Sequence, residues 1–126
     1  MIIVDARFKA SERGKWAEDI ALDYLKAKGL KLLVRNYLAP CGEIDLIMQE
    51  KKIIAFIEVR FRTNKQHVSA IESIDSRKCN RIIATSQHYL QDFRLSLKMV
   101  YRFDVVAISG QIDEPEIEWI KNAFQA

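Results

Sequence analysis

Four charged residues sit in two short β-like runs at a spacing that suits phosphate chemistry. Glu43-Ile-Asp-Leu-Ile-Met48 carries Glu43 and Asp45, and Ile53-Ile-Ala-Phe-Ile-Glu-Val-Arg-Phe61 carries Glu58 and Arg60. Only a short polar segment with Lys51 and Lys52 separates the runs, which predicts an antiparallel hairpin. A turn centred between those lysines sets Asp45 opposite Glu58 and Glu43 opposite Arg60. Because side chains alternate along a strand, all four then share one face with Ile47 and Phe56. Ile44, Leu46, Ile57 and Val59 go to the other face, and a slip of one residue would undo the whole arrangement.

Two opposed carboxylates repel unless a cation lies between them. Arg60 could partly serve, and a divalent ion would serve better. Mg²⁺ takes a few carboxylate oxygens and keeps waters and a phosphate oxygen as its other ligands. Such an ion activates water and screens the charge that builds on a phosphate. Phosphodiester hydrolysis with Mg²⁺ or Mn²⁺ is therefore the chemistry that Asp45, Glu58 and Arg60 suit. The same charges could also be an ordinary solvent-facing pair, worth under about 1 kcal/mol. Against this, Ile53 to Ile57 is unbroken apolar sequence, as in a strand buried on both faces. Charges that begin abruptly at the end of such a strand line a cleft. The pattern alone is a loose signal, and both readings stay open on it.

The elements that must position these residues are legible around them. A helix is predicted over Ser11 to Lys28, with Gly29 just past its end as a left-handed stop. Ala17, Ile20, Ala21, Tyr24 and Leu25 form its apolar face, while Asp19, Asp23 and Lys26 point away. Glu18 falls at the edge of the apolar stripe, beside Leu25. Leu30 to Leu38 is expected to be a strand, and Pro40, Cys41 and Gly42 a loop. A second helix is predicted over Ser76 to Gln91 with Ile82, Ile83, Tyr89 and Leu90 inward. A strand follows over Met99 to Ile108, and the tail from Glu116 to Phe124 reads as a short helix or a strand and turn, docked by Trp119, Ile120 and Phe124. There are no repeats, low-complexity tracts or linkers, which predicts a single α/β domain over residues 1–126.

Composition narrows the class. The chain has 126 residues, 49% hydrophobic and 29% charged, as expected of a folded globular domain rather than a disordered one. Cys41 and Cys79 are too few for a disulfide framework and lack zinc-ligand spacing, which suits reduced thiols in a cytoplasmic protein. The opening Met1-Ile-Ile-Val4 is followed at once by Asp5, too short an apolar run for a signal peptide or a membrane helix. The net charge of +3 permits nucleic acid without arguing for it. Its distribution says more: Arg60, Arg62, Lys65, Arg77, Lys78 and Arg81 gather mid-chain, and Asp113, Glu114, Glu116 and Glu118 make the tail acidic. Arg62, Arg77, Lys78 and Arg81 are candidate phosphate contacts, with a plain solvated face as the alternative. Lys78 lies one turn before Ile82, at the margin of the apolar face. His67 and His88 have no second ligand at metal spacing, and Asp104 beside Arg102 reads as structural. No Gly-rich phosphate loop or nucleophilic Ser or Cys motif is present.

Gly42-Glu-Ile-Asp-Leu-Ile47, Phe56-Ile-Glu-Val-Arg-Phe-Arg62 and Arg102-Phe-Asp-Val-Val106 closely resemble the YraN family of bacterial proteins, uncharacterised protein family 0102. Gly14, Glu18, Gly29, Asn36, Lys78 and Glu118-Trp-Ile-Lys-Asn-Ala-Phe124 extend the resemblance over nearly the whole chain. That family is similar to archaeal Holliday-junction resolvases of the restriction-endonuclease-like superfamily. The resemblance implies a central mixed β-sheet flanked by helices. It also implies a centre built from a helix Glu, a strand Asp and a Glu-x-Lys pair, which fall here on Glu18, Asp45, Glu58 and Arg60. The superfamily's backbone-carbonyl metal ligand would be Val59, beside Asp45 and Glu58. The chain departs from the pattern twice. Arg60 stands where Lys is usual, and Arg cannot act as a base near neutral pH, which leaves it charge stabilisation or phosphate positioning. A glycine common in the following loop is absent, with Val68 and Ser69 in that region. Three functions follow as expectations: a metal-dependent nuclease acting on structured or broken DNA, a non-catalytic nucleic-acid-binding module, or a structural partner protein. Action on two strands would suit a two-fold homodimer.

Overall fold

In a computed structural model of the chain, residues 10–62, 74–93, 99–111 and 113–126 are described. The elements run α1 (Ala10–Ala27), β1 (Lys31–Ala39), β2 (Gly42–Glu50), β3 (Ile53–Arg62), α2 (Ser76–Asp92), β4 (Val100–Gln111) and β5 (Glu114–Phe124). The first nine residues, and with them the N-terminal segment, lie outside the described residues, as do Lys65, His67, Val68 and Ser69.

Local sequence explains both helices. Ala17, Ala21 and Leu25 recur at helical spacing and are buried. Gly29 then ends α1 with φ +99°, a conformation that glycine takes at little steric cost. Asp75 caps α2 by accepting the Lys78 N–H at 2.8 Å, and Ile82 and Tyr89 face inward from it.

The five strands form one sheet in the order β1-β2-β3-β4-β5. β3 and β4 are parallel and every other pair is antiparallel, so the sheet is mixed. A parallel neighbour needs a crossover connection, and α2 lies in it. The tail resolves into a strand, β5, and its sequence says why. Glu114, Glu116 and Glu118 point outward while Pro115, Ile117 and Trp119 are half-buried, a period of two rather than of a helix.

The sheet is covered on both faces. Ala17, Ala21 and Leu25 of α1 pack on Leu46, Met48, Ala55, Ile57 and Val106. Ile82 and Tyr89 of α2 pack on Ile44, Ile47, Ile54, Phe56 and Phe103. The protein is thus a mixed α/β fold with one helix against each face. Ile44 is a correction to the sequence reading, which placed it with Leu46 and Ile57. It joins the α2-side cluster with Ile47 while Leu46 packs on the α1 side, the change of face coming where the ladder of β2 with β3 ends. Among the described residues, no helix is long and apolar enough to cross a membrane.

Candidate active site

The β2–β3 ladder has the register expected from the hairpin, from Glu50↔Ile53 to Leu46↔Ile57. There it ends. Beyond Leu46 the strands part, and the Asp45 carboxylate fills the gap by accepting the Val59 backbone N–H at 2.8 Å. Asp45 therefore points between the strands rather than standing off one face, and it reaches Glu58 there.

Glu58 is almost fully buried, at 4% exposure. Burial first, and the negative charge of Glu58 second, push the Asp45 carboxyl up to about 8, against the Val59 N–H, which works the other way. The Glu18 charge adds to the same upward push. Two cations answer Glu58: Lys78 Nζ at 3.2 Å and Arg60 Nη1 at 3.5 Å, both on Oε2. One comes from the first turn of α2 and the other from β3 itself.

Glu18 and Glu43 are held a step away. The Asn36 side-chain amide donates to Glu18 Oε1 at 3.0 Å and to Glu43 Oε1 at 3.1 Å. Arg35 donates to Glu18 at 3.2 Å and pairs with Asp19 at 2.7 Å. Glu43 is thus tied to β1, where the hairpin reading had set it opposite Arg60; the parting of β2 from β3 ends the ladder before that pair. Sequence reasoning missed Arg35 and Asn36 as site residues. Asn36 left a signal, since Asn is depleted in strands and here it has φ +54°, a conformation that Asn tolerates better than most residues.

A cleft of about 490 Å³ opens beside the pair, with Gly42, Glu43 and Asp45 on one wall and Lys78, Arg81 and Ile82 on the other. Gly42 lets the β1–β2 turn press on α2, because a Cβ there would lie 3.1 Å from Thr85 Oγ1. The structure thus brings Asp45, Glu58, Arg60 and Lys78 together, with Glu18 at the edge and Arg81 across the cleft. Arg77 faces a neighbouring hollow with Ser76 and Asn80. Arg62 borders a separate one with Ser109, Glu116 and Glu118.

The family model of uncharacterised protein family UPF0102 matches residues 17–108. The chain belongs to this family. A UPF0102 protein of Methylococcus capsulatus is 44% identical over 113 residues, covering 90% of each chain. One from Legionella pneumophila is 45% identical over 115 residues, covering 91% of this chain and 96% of its own. A Janthinobacterium relative is 45% identical, covering 90% and 87%. Glu18, Asp45, Glu58, Arg60 and Lys78 all lie within the part of this UPF0102 chain that the family model matches.

Among the described residues, no three His, Cys, Asp or Glu side chains form a metal-ligand group. What the UPF0102 chain offers is narrower: two adjacent carboxylates, Asp45 and Glu58, with the Val59 backbone between β2 and β3. Their chemistry fits a hard divalent ion that keeps most of its waters. It does not fit one that needs a closed protein cage. A second buried carboxylate has a different character. Asp104, fully buried, accepts from Arg102 Nε at 3.0 Å, Trp119 Nε1 at 3.1 Å and the Asn122 N–H at 2.9 Å. Those partners satisfy it, as expected of a structural residue.

Proposed function

We propose that this chain is a Mg²⁺- or Mn²⁺-dependent nuclease of the restriction-endonuclease-like class, hydrolysing phosphodiester bonds in branched or broken DNA. The observation that carries this reading is the parting of β2 from β3, which puts Asp45 against buried Glu58 beside an open, cation-lined cleft. A fold gains nothing from two carboxylates held together; a metal centre does. The mixed sheet with a helix on each face agrees with the layout that the class implies. Fold alone does not set function, and the site carries this reading.

Asp45 and Glu58 would hold the ion, with the Val59 carbonyl as a third ligand. The bound ion supplies a more acidic water and charge screening on the phosphate. The chain's own residues do the rest. Asp45 is oriented by the Val59 N–H, and Glu58 is oriented by Arg60 on its own strand. An arginine cannot act as a base near neutral pH, so Arg60 stabilises the developing negative charge and moves no proton. Glu18, fixed by Arg35 and Asn36, orders water at the edge of the site. Lys78 and Arg81 bind phosphates that enter the cleft, and Arg77 and Arg62 extend contact to the backbone further out. In this reading the protein is cytoplasmic, is one domain, and meets two strands as a homodimer.

Two observations favour a second reading. Arg60 replaces the usual lysine and Glu18 is engaged by Arg35 and Asn36, which suits a module that binds nucleic acid without cutting it. Incubating the protein with branched, nicked and single-stranded DNA in Mn²⁺ separates the two. The nuclease reading expects cutting that stops without metal and stops in Asp45→Ala. Binding with no cutting in any metal would favour the module.

A further inference from the structure

Glu58 has one oxygen, Oε2, that serves two cations of different origin. Arg60 sits two residues along the same strand, so its guanidinium is carried by the backbone that carries Glu58. Lys78 reaches in from α2 on a flexible stem, and its side chain is 37% exposed. Its backbone is held in place by the Asp75 cap, while its ammonium lines the cleft with Arg81. An ammonium 3.2 Å from Oε2 occupies space and charge that a divalent ion on the same carboxylate requires. Like charges that close repel strongly in a partly buried site.

We infer that Lys78 is the resident counter-ion of the acid pair, displaced from Glu58 when a divalent cation binds and then free to bind a phosphate of the nucleic acid. This rests on the metal reading above and adds a coupling to it. Lysine suits the exchange better than arginine: its ammonium is a compact, strongly hydrated point charge on a mobile four-carbon stem. The exchange keeps Glu58 neutralised in both states. It also means that metal and nucleic acid bind cooperatively, because the metal releases a phosphate-binding charge into the cleft. Lys78 is thus a positioning residue that links the two ligands.

The test is a calorimetric Mn²⁺ titration of the full chain as wild type, Lys78→Met and Lys26→Met, Lys26 being an exposed lysine in the last turn of α1. It is paired with the affinity for a labelled branched DNA, measured with and without Ca²⁺. Lys78→Met should bind Mn²⁺ about 5-fold more tightly than wild type, roughly 1 kcal/mol, and Lys26→Met should change it less than about 2-fold. Ca²⁺ should raise the DNA affinity of wild type clearly more than that of Lys78→Met. Should the methionine variant fail to fold, Lys78→Gln carries the same expectations. Unchanged or weaker Mn²⁺ binding in a folded Lys78 variant would overturn the exchange and leave the metal centre standing. No Mn²⁺ binding in either wild type or the Lys78 variant would overturn both.

Discussion

Asp45 is the residue on which the site turns. Its carboxyl, raised to about 8 by burial and by Glu58, takes up a proton on folding. Ionising it costs stability, and the sign of the pH dependence follows. The cost is absent below the usual aspartate value, about 4, and grows as pH rises towards 8. Asp45→Asn removes that charge, while its amide oxygen still accepts the Val59 N–H. In metal-free urea denaturation the variant should match wild type near pH 4 and exceed it by roughly 1–3 kcal/mol at pH 8; equal stability at both pH values would show that the pair is not strained. The sequence showed Asp45, Glu58 and Arg60 together because period-two alternation and a short turn fix a hairpin register. It could not show where the ladder stops, so Glu43 was set opposite Arg60 and Ile44 on the wrong face. Nor could it show the tie from Asn36 to Glu18 and Glu43, which joins residues from three elements. A contact between elements leaves no local pattern.

At the scale of elements, the site is a junction. β2 and β3 supply the carboxylates, β1 anchors Glu18 and Glu43 through Asn36, and α2 delivers Lys78 and Arg81. The start of α2 therefore matters more than its middle. Asp75 accepts the Lys78 N–H at 2.8 Å, satisfying a backbone donor that the helix cannot. Asp75→Ala should cost about 1 kcal/mol in denaturant unfolding, and Asp75→Asn distinctly less, since Asn caps comparably. A neutral Asp75→Ala would mean that the first turn of α2 is held from elsewhere. The helices and the three strands around the hairpin were legible from periodicity, turn residues and the glycine after α1. The tail remained open between a short helix and a strand and turn, although its glutamates alternate with a period of two, because the ladder to β4 that makes it a strand leaves no local pattern.

Over the whole molecule, β4 and β5 form the half of the sheet on the other side of β3 from the β2–β3 gap. Arg102 links them back to β2 by pairing with Glu50 at 2.9 Å and with Asp104 at 3.0 Å. This clamp resembles the Asp45–Glu58 pair only in composition. Asp104 has a full set of donors, whereas Asp45 and Glu58 are pressed together at a cleft. Asp104 thus belongs to a group that holds the sheet, whereas keeping Asp45 against Glu58 costs stability as pH rises. The family, legible in motifs spread from Gly14 to Phe124, holds on comparison with its relatives; the chemistry rests on the site. The direct test is Mn²⁺ calorimetry on wild type and Asp45→Ala, with circular dichroism to verify the fold. Wild type should bind about one ion per chain, and Asp45→Ala should lose that binding. No binding by wild type, with the fold intact, would mean that the acidic pair is architectural and would contradict the nuclease reading.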